Sequence, residues 1–207
     1  MRKREREGKW REHDERGKGE CMIVVMGTPG AGKSTVLAEA TKARKNWKIV
    51  NYGDLMTVIA MEKGLVKTRD DLRKLSIAQQ KTIQSAAGTQ LSKMQGDVIL
   101  DTHCSINTPN GYYPGLPYAL LSKLKVDAFV MVGAPHDDIL GRRKSDATRS
   151  RDEQGRESLA EHVRVNEAML AAYSVLAGAP ALMVENANGK LDKAAARLGA
   201  LLDSFRK

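Results

Sequence analysis

The sequence predicts an α/β fold, a three-layer αβα sandwich with a central parallel sheet. Two observations carry that expectation. Short apolar, β-branched runs alternate with helical stretches from Met22 to the C-terminus. Such alternation is the pattern of parallel strands joined by crossover helices, which then cover both faces of the sheet. The second observation is a glycine-rich stretch, Gly27-Thr28-Pro29-Gly30-Ala31-Gly32-Lys33-Ser34, between the first such run and the first helix.

The stretch fits G-x-x-x-x-G-K-[ST] in the setting that gives this pattern meaning, a strand before and a helix after. Met22-Ile23-Val24-Val25-Met26 reads as a buried strand. Ser34 to Lys45 lacks Gly and Pro and reads as a helix. Gly27, Gly30 and Gly32 let the backbone bend close to phosphate oxygens. Successive N–H groups of the loop that runs through Thr28, Pro29 and Ala31, proline itself having none to give, then face an anion beside the positive end of the helix. Lys33 is expected to reach the β- and γ-phosphates of ATP, Ser34 to hold Mg²⁺, and Thr35 to reach the α-phosphate. This is the P-loop of a P-loop NTPase.

The elements follow in order. Residues 1–20 are almost all charged or glycine, with Trp10 the one large apolar side chain. They are expected to be a disordered extension, because they cannot bury enough surface to order themselves. An RNA-binding arm, or a natural start at Met22, are the other readings. Residues 21–207 form the folded domain. Trp47 to Val50 reads as the second strand. Asn51 to Asp54 reads as a turn, and Leu55, Met56, Val58, Ile59 and Met61 then mark a helix stopped at Gly64. Leu65 to Asp70 leads to another helix that brings Arg69 and Arg73 close together. A long polar helix spans about Ile77 to Met94. Asp97-Val98-Ile99-Leu100-Asp101 is a strand with a terminal acid, the Walker-B arrangement in which Asp101 contacts Mg²⁺ through water. Thr108 to Pro117, dense in Gly and Pro, reads as a loop with fixed turns. Tyr118 to Leu124 is a short helix, Ala128 to Val132 a strand, and Pro135 to Lys144 a helix. Ser158 to Leu176 reads as a helix capped by Ser158 with Glu161. Ala181 to Glu185 is the last strand, and Leu191 to Phe205 an amphipathic helix.

The chain has 207 residues, enough for one domain with a sizeable core. No apolar run approaches a membrane span, and the N-terminus is charged rather than signal-like. Cys21 and Cys104 alone make neither a disulfide framework nor a four-cysteine zinc site. A reducing, cytoplasmic compartment is expected. The formal charge of +9 suits a protein that handles polyanionic nucleotides, or one that binds nucleic acid.

A P-loop specifies phosphate binding but not the reaction. No N-K-x-D is present to read guanine. Arg142, Arg143, Lys144, Arg149, Arg151 and Arg156 crowd the stretch from about 142 to 157. Phosphoryl transfer between two anions needs charge neutralisation and exclusion of water, so this stretch is expected to be a short lid.

The sequence resembles adenylate kinases, and among them the short archaeal type, over about residues 22–205. The P-loop GTPGAGKST is similar to theirs. Ile139-Leu140-Gly141-Arg142-Arg143 resembles their lid entry, and Thr148-Arg149-Ser150-Arg151-Asp152 their lid exit. The archaeal type is suggested by Val50-Asn51-Tyr52-Gly53, Arg69 to Leu75, Asp101-Thr102-His103, Thr108 to Tyr112 with Gly115-Leu116-Pro117, and Tyr173 to Ala179. The resemblance implies reversible transfer of the ATP γ-phosphoryl group to AMP, giving two ADP, with Mg²⁺. It implies that Lys33, Arg142, Arg149 and Arg151 position and neutralise the transferring group. Arg69 and Arg73 are candidates for the AMP phosphate, Gly53 borders the AMP adenine, His103 is placed to touch nucleotide, and Asn188 and Gly189 border the ATP adenine. A homotrimer is implied by analogy alone. The sequence departs from most bacterial and eukaryotic relatives in two places: Thr57 stands where they have arginine, and Thr102-His103-Cys104-Ser105 where they have G-F-P-R. Another nucleoside monophosphate or small-metabolite kinase, for cytidylate or gluconate, and an ATPase that binds RNA or ribosomal partners are the alternatives.

Overall fold

The computed structural model describes residues 20–145 and 155–206, the Arg73 side chain excepted. The charged extension up to residue 19 and residues 146–154 of the expected lid lie outside them. The chain opens with β1 (Met22–Gly27), α1 (Lys33–Thr41), β2 (Lys48–Asn51) and α2 (Tyr52–Glu62). A 3-10 helix at Arg69–Lys74 precedes α3 (Ile77–Ser92), β3 (Val98–Asp101), β4 (Ser105–Thr108), β5 (Gly111–Pro114) and α4 (Tyr118–Leu121). Then come β6 (Ala128–Gly133), α5 (His136–Ser145), α6 (Arg156–Ala177), β7 (Ala181–Glu185) and α7 (Leu191–Ser204).

Five strands form a parallel sheet in the order β2-β3-β1-β6-β7. Every residue of the central β1 is buried. A strand buried on both faces reads as a continuous apolar run rather than an alternating one. Its side chains still divide by parity. Met22, Val24 and Met26 pack with Ile59, Ile83, Leu91, Leu120 and Leu170 from α2, α3, α4 and α6. Ile23 and Val25 pack on the other face with Val36, Leu37, Ala40, Leu198 and Leu202 from α1 and α7. These are the two outer layers of the sandwich. Each fully buried aliphatic side chain contributes about 1.5–3 kcal/mol.

The sheet order positions the site. The chain leaves β1 toward β2 on one side, while β6 lies on the other side of β1. The crevice outside the carboxyl end of β1 is therefore a topological switch point, where open α/β sheets bind ligands.

Local structure differs from expectation at three places. Asn51 to Asp54 is not a turn. The Asn51 side chain accepts a hydrogen bond from the Asp54 N–H at 3.1 Å, and α2 begins at Tyr52. An asparagine N-cap starts a helix as readily as a turn. Thr108 to Pro117 contains half of an antiparallel hairpin, with Ser105 opposite Pro114 and Thr108 opposite Gly111. Pro109-Asn110 is its two-residue connection, so the Gly and Pro residues punctuate a strand pair. Finally, α6 begins at Arg156 after Gly155, with no side-chain cap, and Ser158 lies inside it. The Arg156 guanidinium meets Asp137 of α5 at 2.9 Å, a tertiary contact that extends the helix past its local capping signal.

Candidate nucleotide site

The P-loop runs from the end of β1 into α1. Gly32 sits at the N-cap of α1 with φ 81°, and Gly30 has φ 94°. Side-chain-bearing residues rarely adopt this left-handed region. A Cβ on Gly32 would also strike the Asn186 amide, and one on Gly30 would lie 3.1 Å from Ile139. The Ala31 N–H donates to the Thr28 carbonyl at 2.9 Å and closes the turn. Ser34 and Thr35 are exposed in the first turn of α1.

Lys33 points back under the loop, where its ammonium pairs with Asp101 at the end of β3. Val25, Asp101 and Asn51 are register neighbours on three adjacent strands. Strands lie about 4.8 Å apart, so the Asn51 amide reaches the other carboxylate oxygen of Asp101 and donates to it at 2.9 Å. Burial pushes the Lys33 ammonium down to about 8.

Helix α5 supplies two arginines. The Arg142 guanidinium donates to the Ala31 carbonyl at 3.2 Å, to the Asn186 carbonyl at 2.9 Å and to Asn188 Oδ1 at 2.7 Å. Arg143 donates to the Pro29 carbonyl at 2.9 and 2.7 Å. Asn186 Nδ2 donates to the Ala31 carbonyl at 2.9 Å, and the Asn188 N–H to Asp138 Oδ2 at 2.7 Å. Gly189 follows in a left-handed turn with φ 70°. The loop after β7 and helix α5 are thus tied to the phosphate loop by directed hydrogen bonds.

On the other side of Asp101, Arg69 pairs with Asp54 and lies over Gly53, where a Cβ would come within 2.6 Å of its guanidinium. Thr57, which stands at the expected arginine position, donates instead to the Gly53 carbonyl at 2.8 Å. His103 is exposed two residues beyond Asp101. The structure therefore brings Gly27, Thr28, Pro29, Gly30, Ala31, Gly32, Lys33, Asp101, Arg142 and Asn188 into one cluster. Gly53 and Arg69 form a second group. The side chain of Arg73, and both Arg149 and Arg151, lie outside the described residues. Thr28 enters the loop with a buried side chain aimed away into the domain.

The sequence is 47% identical to the adenylate kinase of Thermoplasma acidophilum over 172 residues, 83% of this chain and 93% of that one. It is 42% identical to the adenylate kinase of Methanocaldococcus jannaschii, over 86% of this chain and 95% of that one. The chain belongs to the adenylate kinase family. The family model described as an AAA domain matches residues 26–160, from β1 through the start of α6. Among solved structures, shikimate kinase from Bacteroides thetaiotaomicron aligns with a TM-score of 0.58 at 13% identity, over 88% of this chain and 98% of that one. Shikimate kinase from Acinetobacter baumannii gives the same TM-score at 18% identity, over 90% and 96%. At such identity these two share the fold alone.

Sequence reasoning about this adenylate kinase missed several polar partners. Asn51 holds Asp101, Asn186 braces the Ala31 carbonyl, and Asp138 anchors Asn188. Of these, only the position of Asn51 at a strand end, beside the acid-tipped strand, left a local trace.

The Ser34 hydroxyl and the Asp101 carboxylate, whose oxygens meet Lys33 and Asn51, are the oxygen donors here that could hold a magnesium ion. Among the described residues no group of three or more His, Cys, Asp or Glu side chains could cage a metal. One hydroxyl and one buried carboxylate suit a magnesium ion that keeps waters and takes its other ligands from phosphate.

Proposed function

We propose that the chain transfers the γ-phosphoryl group of ATP to AMP, giving two ADP, with the P-loop as the donor site. The observation that carries this reading is Lys33, largely but not fully buried at the N-terminus of α1 and paired with Asp101. A buried ammonium, aligned loop amides and a helix N-terminus make a strong anion site. Gly27 to Gly32 wrap the phosphates, Lys33 neutralises the β- and γ-oxygens, and Thr35 faces the α-phosphate. Arg142, with Arg149 and Arg151 beyond it, balances charge on the transferring group. Asn188 and Gly189 border the donor adenine. Ser34 and Asp101 would hold magnesium, which would supply charge neutralisation for the transfer. Gly53, Arg69, Arg73 and His103 serve AMP.

No protein nucleophile is required, because in-line positioning and electrostatics carry the transfer. Cys104 supports this: burial pushes its thiol up to about 12, and Sγ donates to the Asn166 carbonyl at 3.2 Å. It is a packed thiol rather than an attacking thiolate. Residues 142–157 are assigned as the lid, with Arg142, Arg143 and Lys144 forming a basic last turn of α5. Cys21 and Cys104 are both buried and unpaired with each other, in keeping with a cytoplasmic enzyme. No helix among the described residues is long and apolar enough to cross a membrane.

The test is ADP formation from ATP and Mg²⁺ with AMP, CMP, GMP, UMP, dAMP or no acceptor. Turnover that depends on AMP is expected. Phosphate arriving mainly on CMP, or slow hydrolysis indifferent to acceptor, would overturn the assignment.

A further inference from the structure

Behind the phosphate loop, four buried polar side chains form one hydrogen-bonded chain. Thr28 comes from the loop, Ser105 from β4, and His162 and Asn166 from α6; each is 5% exposed or less. Ser105 Oγ donates to Asn166 Oδ1 at 2.6 Å, and Asn166 Nδ2 donates to Thr28 Oγ1 at 3.2 Å. The single hydroxyl proton of Ser105 is spent on Asn166. Ser105 therefore accepts from His162 Nε2–H, which lies 3.1 Å away. Burial holds the His162 imidazole below its ordinary pKa, in keeping with a neutral ring that donates from Nε2. Buried polar groups cost stability unless they satisfy one another, so the direction of each bond in this chain is constrained by the next.

Two more contacts make the chain a link rather than a local pair. The Asn166 carbonyl accepts from Cys104 Sγ at 3.2 Å, so Asn166 holds both residues 104 and 105 of the segment that continues from Asp101. Tyr173, two turns further along α6, donates from its hydroxyl to the Cys104 carbonyl at 2.8 Å. Thr28 and Asn166 also line a cavity of about 400 Å³ between α5, α6 and the carboxyl ends of β6 and β7. The Thr28 carbonyl in turn closes the loop onto Ala31.

We propose that Asn166 is a positioning residue for phosphoryl transfer: together with Ser105 it sets the orientation of Thr28, and so the phosphate loop, relative to the segment bearing Asp101. The inference rests on the P-loop being the ATP site. Asn166 touches no reacting atom; it acts through Thr28.

The test is steady-state kinetics of the full chain, with turnover expressed per folded enzyme and Tm measured in parallel. Thr28→Val and Asn166→Leu each remove one partner of the link at nearly constant volume. Both are expected to lower kcat about tenfold or more, with the KM values for ATP and AMP changed by no more than about twofold. The double variant is expected to be no slower than the worse single one, because both remove the same bond. A merely structural role would lower Tm and leave kcat per folded enzyme unchanged, and that result overturns the proposal. So would full multiplicativity in the double variant. Should Asn166→Leu fail to fold, Thr28→Val beside the cavity decides the matter alone. Loss of AMP-dependent turnover in the parent chain would instead overturn the reading of the site, and this inference with it.

Discussion

The ammonium of Lys33 lies against Asp101 in a buried corner, and burial pushes its pKa down to about 8. Two consequences follow at this residue. Lys33→Ala is expected to reduce kcat/KM by a factor on the order of a thousand while circular dichroism stays native, because the donor that neutralises developing phosphate charge is gone. The sign of the pH effect follows from the lowered value. An unfolded lysine titrates near about 10.4, so below pH 8 both states carry the proton and the folded state bears the full cost of burying the charge. Between about pH 8 and 10.4 the unfolded chain holds more protons, and this group's contribution to stability rises with pH. Nucleotide binding has the opposite trend, since only the charged form attracts phosphate. The ATP dissociation constant, measured by calorimetry from pH 7 to 10, is expected to rise above pH 8, and to stay flatter in Lys33→Arg. On the acceptor side, Arg69→Ala is expected to raise the KM for AMP about tenfold and leave that for ATP within about twofold. Equal effects on both would remove Arg69 from the acceptor site.

At the scale of the element, the phosphate loop is a backbone device. Gly32 combines a left-handed φ with close approach to Asn186, so any side chain there is both strained and blocked. Gly32→Ala is expected to cost at least about 1–2 kcal/mol in chemical denaturation and to weaken ATP binding. Gly141 offers the contrast. It lies in helix α5 with open space where a Cβ would go and no positive φ. Gly141→Ala is expected to stabilise by about 1 kcal/mol, the helix propensity difference.

At the scale of the whole molecule, the two helical layers meet the sheet through different surfaces. Helix α7 buries Ala194, Ala195, Leu198 and Leu202, a helical stripe pressed on α1 and the sheet. Gly199 in that stripe lets the Arg44 guanidinium cross it to reach Asp203, with oxygens at 2.8 and 2.6 Å. Leu198→Ala is expected to destabilise by about 2–5 kcal/mol through a cavity left between α7, α1 and the sheet. Turnover per folded enzyme should remain at the parental level, which separates stability from catalysis in a single urea titration with parallel assays.

Much of this molecule is written locally. The five core strands, the P-loop and the amphipathic α7 follow from short apolar runs, a period of 3.6, and glycine and lysine at fixed offsets. That Lys33 and Asp101 stand in one cluster was legible from the glycine-rich loop and the acid-tipped strand. The sequence-level reading of Asn51 as a turn residue, and of Thr108 to Pro117 as a loop, went astray where one signal serves two structures: an Asn caps helices and makes turns, and Gly with Pro punctuates hairpins and loops alike. What only the tertiary structure decided are the long-range pairings. Arg142 meets Ala31 across 111 positions, and Asn166 meets Thr28 across 138. No local period encodes such partners. They become neighbours because the strand order β2-β3-β1-β6-β7 brings the carboxyl ends of β1, β3, β6 and β7 to one edge, and buried polar groups gathered there must bond to one another.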